Sequence, residues 1–185
     1  MARRSDAQYG KGLTRFLRRA RTDESGATAV EFAMVAAPFF FLLFAMIEIA
    51  AVFFTSTVLE NAVLETAREI RTGQVQNGGI TQAQFRDEIC DRVSIVGDCD
   101  RLEFDVQVFD GFNSVTQTSP IAGDGSLDTG SFGWDPGGAG DIVLVRVFYR
   151  WSLLTPNFGG ALSNMGGNQR LLTAATVFRN EPFDD

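Results

Sequence analysis

An apolar segment near the amino terminus, residues 27–54, limits the folds that are open to this chain. At about 1.5 Å per residue it would form a helix of about 42 Å, which exceeds the roughly 30 Å hydrocarbon core of a bilayer. The segment therefore predicts one transmembrane helix that is tilted or has its ends in the interfaces. Pro38 lies within it and predicts a kink, because proline removes a backbone hydrogen bond.

Charged residues are distributed unevenly about this segment. Residues 1–25 hold seven basic side chains and three acidic ones, whereas the rest of the chain holds nine basic and twenty acidic. This pattern follows the positive-inside rule and predicts a cytoplasmic amino terminus and an exported carboxyl-terminal domain. The acidic remainder also argues against a nucleic-acid partner, because it offers no attraction for phosphates. Residues 1–24 predict a disordered leader, with a short amphipathic turn as the alternative.

The helical pattern continues beyond the apolar segment. Small and apolar residues recur there at spacings of three and four, and charged residues take the other positions. This stripe comprises Leu59, Ala62, Val63, Thr66, Ala67 and Ile70. Gly73 suits the carboxyl cap of a helix. We expect one nearly continuous helix over residues 24–72, whose first half lies in lipid and whose second half packs its stripe on a partner surface.

A short second helix and three strands are predicted after this helix. Thr81 and Gln84 form a capping-box pattern, which Phe85, Ile89 and Val93 follow at a spacing of four. Residues 101–109 alternate in polarity and predict a strand with one apolar face (Leu102, Phe104, Val106 and Val108) and one polar face (Glu103, Asp105 and Gln107).

Residues 141–154 predict the strongest strand, and residues 169–183 a weaker one whose alanines leave a helix open as the alternative. The glycine-rich residues 124–141 predict a long loop. The expected fold class is α+β, with a long amino-terminal helix packed on a small antiparallel sheet.

The side chains that enzymes commonly use are scarce. The chain has no histidine, the commonest general base and metal ligand. It also lacks a nucleophile elbow, a phosphate-binding loop and a dinucleotide-binding pattern. The aspartates of the glycine-rich loop (Asp124, Asp128, Asp135 and Asp141) do not match the spacing of an EF-hand. We therefore expect no enzyme, no cofactor and no metal site.

Cys90 and Cys99 are the only cysteines. In an exported domain a short-loop disulfide is the natural expectation for such a pair, with free thiols as the alternative. Their spacing, with no other soft ligand nearby, does not favour zinc.

Two carboxylates, Glu31 and Glu48, lie within the apolar segment, where a charge facing lipid is costly. Glu48 follows Glu31 by 17 residues, or about 25 Å along a helix, so it should lie near the opposite interface. Snorkelling would explain it there, and packing on a partner helix is the alternative. Glu31 either lies at the cytoplasmic headgroup level or pairs with a charge from another molecule.

The residues around Glu31 resemble a known processing signal. The stretch ESGATAVEF is similar to the class III signal of type IV pilins and pseudopilins, which a membrane-embedded prepilin peptidase cuts after glycine. Residues 26–71 resemble the TadE family of the tight-adherence (Flp, type IVb) pilus system. The tail residues Arg179, Asn180, Glu181 and Pro182 resemble the ending of TadE-like proteins, whereas residues 74–168 resemble nothing specific. TadF-like and TadG-like identities stay open.

This resemblance implies a minor pseudopilin of pilin-like fold. Residues 1–26 would be a cytoplasmic leader that the prepilin peptidase removes between Gly26 and Ala27, residues 27–54 the inner-membrane span, and residues 55–185 a periplasmic domain. Glu31, the fifth residue of the product, would neutralise the new amine of a neighbouring subunit. The implied partners are the prepilin peptidase, other pilins and pseudopilins of the Tad system, and the membrane.

Two other functions share parts of this topology. One is a signal-anchored periplasmic binding or sensor module, without processing or filament partners. The other is an exported enzyme cleaved by the usual signal peptidase, which the length of the apolar segment disfavours.

Overall fold

The structure is a computed structural model that describes residues 24–155 and 159–183. The chain divides into two compact units, Met1–Met46 and Ile47–Asp185. In the first unit, the described part is the beginning of helix α1, Glu24–Arg71, which continues into the second unit. A nearly continuous helix over residues 24–72 is thus confirmed. The predicted disorder of the leader concerns residues 1–23, which lie outside the described part.

The second unit adds a small sheet and short helices to α1. Helices α2 (Gln74–Asn77) and α3 (Gln82–Val93) come first, followed by a 3-10 turn, Cys99–Arg101. Strands β1 (Leu102–Phe109) and β2 (Ile142–Ser152) precede α4 (Gly159–Leu162) and β3 (Gln169–Arg179). The sheet is antiparallel with the order β1-β2-β3. The α+β prediction is therefore confirmed, and β3 is a strand rather than the alternative helix.

Helix α3 begins as its sequence predicts. The Thr81 side chain accepts a hydrogen bond from the Gln84 backbone, and the Gln84 side chain accepts one from the Thr81 N–H, which completes the capping box. Phe85, Ile89 and Val93 are all buried. This apolar face joins α3 to the main core.

The main core lies between the helices and one face of the sheet. The predicted stripe of α1 is buried along its whole length, from Leu59 to Ile70. It belongs to the same cluster as inward-facing strand residues such as Val106, Val145 and Leu172. Burial of this apolar surface is the main stabilising term for such a unit.

The other face of the sheet is covered by the long segment between β1 and β2. Phe148 and Leu171 of the sheet pack there against Ile121, Leu127 and Phe132. The Phe132 and Phe148 rings stack with their centroids 5.0 Å apart. The glycine-rich loop is therefore packed against the sheet.

The covering loop also encloses Asp105, which the sequence places on the polar face of β1. Asp105 is fully buried and forms an ion pair with Arg146 of β2, with 2.6 Å between Oδ2 and Nη2. Strand alternation correctly places Asp105 opposite the helix face. Alternation within the strand cannot predict that the loop between β1 and β2 covers this face and excludes water from it.

Candidate functional site

Gly26, Ala27 and Glu31 lie in the first turns of α1. Ala27 and Glu31 are four residues apart, so they share one face of the helix at an axial separation of about 6 Å. Glu31 is exposed, and a Cβ added to Gly26 would meet nothing within 4 Å. Packing within the described chain therefore gives no reason for a glycine at position 26.

The first part of α1 carries a continuous apolar surface. Almost every side chain between Gly26 and Phe44 is exposed, including Phe32, Met34 and Val35, each about 70% exposed. Gly26–Arg71 contains a stretch that is long and apolar enough to cross a membrane. Such a surface suits a membrane anchor. Pro38 lies inside it, and its predicted kink stays a prediction.

Glu48 has specific partners within the second unit, Ile47–Asp185, which we call the folded unit. It is only 4% exposed, and its carboxylate accepts hydrogen bonds from the backbone N–H groups of Leu154 and Thr155 and from the Thr155 hydroxyl. The Thr155 N–H lies 3.1 Å from Oε2. Glu48 thereby fastens the segment that follows β2 to the side of α1.

Sequence reasoning alone missed this role of Glu48, although a signal for it was present. Glu48, Val52, Thr55 and Leu59 follow one another at spacings of four, three and four, and all four are buried. Glu48 therefore continues the packing stripe towards the amino terminus. The predicted span, residues 27–54, overlaps the folded unit, which begins at Ile47.

The tail residues hold three parts of the folded unit together. Arg179 Nε donates to the Gly140 carbonyl at 2.8 Å, and the Asn180 side-chain amide donates to the carbonyls of Pro136 and Gly138. The backbone N–H of Glu181 donates to the carbonyl of Arg71, the last residue of α1. The tail therefore ties the glycine-rich loop and the end of α1 to the end of β3.

Phe183, the residue after Pro182, also packs against the end of α1, beside Gly73. Gly73 has a φ of 76°, and a Cβ placed there would lie 2.5 Å from the Phe183 ring. Both the left-handed backbone and the close ring favour glycine at this position. An ion pair of 3.1 Å joins Arg71 to Glu181, but both side chains are about half exposed, so it adds little stability.

Cys90 and Cys99 are joined by a disulfide, with their Cα atoms 5.6 Å apart. The bond links the carboxyl-terminal part of α3 to the 3-10 turn before β1. It fixes the short connection over which the chain passes from helix to sheet.

The acidic residues of the glycine-rich loop make turn contacts. Asp124 accepts from the N–H and hydroxyl of Ser126, and these bonds hold the pKa of Asp124 below its usual value. Asp128 and Asp135 each accept from a backbone N–H two residues onward. Within residues 24–155 and 159–183, no group of three or more potential ligands could hold a metal ion.

The pKa of Glu69, a residue of α1, is raised above its usual value. Burial has the largest effect, and the neighbouring Glu88 of α3 adds to it, while Arg92 partly offsets both. Arg92 contacts both glutamates, at 3.4 Å from Glu69 and 3.0 Å from Glu88. This small network joins α1 to α3.

Comparison with known families concerns the first helix. The family model described as TadE-like protein matches residues 26–68. This segment is TadE-like. No curated protein and no solved structure matches the chain.

The TadE-like segment covers nearly all of α1. It includes Gly26, Glu31, Pro38 and Glu48, together with the packing stripe as far as Ala67. The TadE-like family is a family of pilus-associated structural proteins. The TadE-like segment thus overlaps the stretch of α1 that is long and apolar enough to cross a membrane. The tail lies outside the matched residues, so its family resemblance stays a prediction.

Proposed function

We propose that this chain is a minor pseudopilin that takes part in assembling a Flp/Tad pilus after a prepilin peptidase cuts it behind Gly26. The observation that carries the proposal is the arrangement at the start of the TadE-like segment. Gly26 has no packing role in the described chain, and Glu31 is exposed one turn beyond Ala27. An unobstructed glycine backbone suits a protease cleft, and a free carboxylate suits an intermolecular pair.

The membrane-spanning part ends near Met46 in this proposal. Residues 26–46 would form a helix of about 32 Å, close to the roughly 30 Å hydrocarbon core. Residues from Ile47 onward belong to the folded unit. The leader would face the cytoplasm and the folded unit the periplasm, in keeping with the charge distribution.

Cleavage would create the positive charge with which Glu31 forms an ion pair, the new amine of Ala27. Before processing, the Ala27 nitrogen is a neutral amide, whereas afterwards it is a positively charged amine. An unpaired charge in the low-dielectric interior of a helix bundle is costly, so pairing of the amine with Glu31 of a neighbouring subunit favours one docked register. A folded unit on top of the helix is more than a major Flp-type subunit carries, which points to a minor component.

The first prediction concerns processing. When the chain is expressed with a cognate prepilin peptidase, we expect a mature protein that begins at Ala27, measured by intact mass and amino-terminal peptide mapping. Gly26→Val should block cleavage, because a branched side chain must enter the cleft at the cut site. Gly10→Val, in the leader, is the matched control and should be cleaved normally.

Two outcomes would contradict this prediction. One is a leader that stays on in the presence of the peptidase, as the alternative of a signal-anchored binding or sensor module requires. The other is a mass loss that Gly26→Val does not prevent. Either result would remove the basis for a pilus assembly role of Glu31.

The second prediction concerns assembly. Glu31→Ala should be processed and inserted normally, yet it should abolish pilus assembly, because loss of one partner from a buried ion pair costs about 3–5 kcal/mol. Shed pili would be quantified by immunoblot and electron microscopy in a strain that lacks the native gene. Glu60→Ala, an exposed position on the same helix, is the control and should assemble pili. Normal piliation of Glu31→Ala would show that this carboxylate does not act in assembly.

A further inference from the structure

The folded unit has two opposite ends. Antiparallel pairing of β1 with β2 places Phe109 beside Ile142 at one end. Arg71 is tied to this same end through the tail, since the residue after Arg179 bonds to the residue before Ile142. We call it the Arg71 end. The Glu48 end, at the other limit of β2, comprises Glu48 and residues 152–155.

Leu154 is an exposed apolar side chain on a fixed backbone. It is 82% exposed, whereas the preceding Leu153 is 7% exposed and belongs to the core. The Leu154 N–H donates to Glu48, so the backbone is held to α1. An apolar side chain on a tethered turn gains from a nonaqueous surface outside the unit.

Three arginines lie near the end of β2 that precedes this turn, in an otherwise acidic unit. Arg101 donates to the Ser152 hydroxyl at 3.0 Å, and Arg170 is the strand partner of Trp151. Arg150 donates to the carbonyl of Asp100, a residue of the adjoining 3-10 turn. Three of the nine basic residues that follow position 25 are thus near the Glu48 end. The acidic residues there are Asp100, in the 3-10 turn, and Asp98, which caps that turn. Arginines at a surface attract the phosphates of lipid headgroups.

We propose that the Glu48 end lies against the bilayer that α1 enters, with Leu154 inserted at the boundary between headgroups and acyl chains. Glu48 follows Met46 by two residues, about 3 Å along the helix, so lipid is the surface within reach of its turn. Glu48 then acts as the tether that holds an apolar residue at the membrane surface. This inference rests on the membrane-spanning part of the proposed function and is independent of processing and of pilus assembly.

Depth-dependent fluorescence quenching tests this contact. The full chain would be reconstituted in vesicles of phosphatidylcholine and phosphatidylglycerol, with an environment-sensitive fluorophore on a single introduced cysteine. The native disulfide occupies Cys90 and Cys99, so a third cysteine is labelled selectively. The test variant is Leu154→Cys. Phe112→Cys, which is 60% exposed just beyond β1 at the Arg71 end, is the matched control.

Lipids with a quencher near the headgroup should reduce the Leu154→Cys signal at least about twofold more than the Phe112→Cys signal, as expected for insertion of about 5–10 Å. A third variant, Phe40→Cys, reports on the span and should be quenched best by a label near the acyl-chain end. Equal quenching at positions 154 and 112, with Phe40→Cys quenched, would overturn the membrane contact of the Glu48 end and leave the membrane-spanning proposal intact. An unquenched Phe40→Cys would instead overturn the membrane-spanning proposal on which it rests.

Discussion

Asp105→Ala should lower the free energy of unfolding of the folded unit by about 3–5 kcal/mol, because it leaves a buried arginine without a counter-ion. The Asp105 side chain is 0% exposed and that of Arg146 is 8% exposed. Asp105 also accepts from the Gly133 N–H at 2.8 Å and from the Gln107 side chain at 2.9 Å. The substitution therefore also removes an anchor of the covering loop. Stabilities of domains are commonly about 5–15 kcal/mol, so this loss is large.

The control for this prediction is a double variant. Asp105→Ala combined with Arg146→Met removes both charges, and buried ion pairs replaced by apolar groups often cost little. Guanidinium titration of the full chain in detergent, followed by tryptophan fluorescence, would compare the single and double variants. We expect the double variant to be the more stable of the two. A single variant at least as stable as the double would show that Arg146 does not need its counter-ion.

Glu48→Ala should lower the free energy of unfolding by about 1–3 kcal/mol, because partly buried donors lose a charged acceptor. The backbone N–H groups of Leu154 and Thr155 lose their acceptor, and so does the Thr155 hydroxyl, which can rotate to find another. The effect should begin locally. The turn after β2 should detach from α1 before the sheet itself unfolds.

Hydrogen exchange followed by mass spectrometry would measure this local effect. Peptides that contain Leu154 and Thr155 should lose protection in Glu48→Ala, while peptides from the centre of β2 keep most of theirs. Glu60→Ala, at an exposed position on the same helix, should leave both unchanged. Unaltered exchange after β2 in Glu48→Ala would refute the tethering role of Glu48.

Local patterns in the sequence were sufficient to predict the two long helices, α1 and α3, and the faces that they bury, but not the single-turn helices α2 and α4. The stripe from Leu59 to Ile70 repeats at helical spacing, and the hydrogen bonds between Thr81 and Gln84 close within one turn. Strand positions followed from alternation and from β-branched residues in the same way. The strand predicted over residues 169–183 was too long, since the chain leaves the sheet after Arg179 to bond with the glycine-rich loop.

Contacts between distant residues could not be predicted in this way. Glu48 and Leu154 are separated by 106 residues, so no local pattern links the carboxylate to its donors. Asp105 and Arg146 are 41 residues apart, and their burial depends on how the loop between β1 and β2 folds back. A lone acidic residue in an apolar helix or on a strand indicates that a carboxylate is removed from water at a cost in free energy. Only the structure identifies the group that offsets it.

The order of the strands bears on how the sheet can form in steps. Neighbours in the sheet are also neighbours in the chain, so β1 and β2 can form a hairpin before β3 is available. The connection between β1 and β2 is long, residues 110–141, but the entropy cost of closing a loop rises only slowly with its length. The central strand β2 nevertheless keeps an open edge until β3 arrives, and an open edge is a template for pairing with other chains. Because β3 covers this edge and the tail ties β3 to Arg71, the tail contacts help to keep β2 from pairing with other chains.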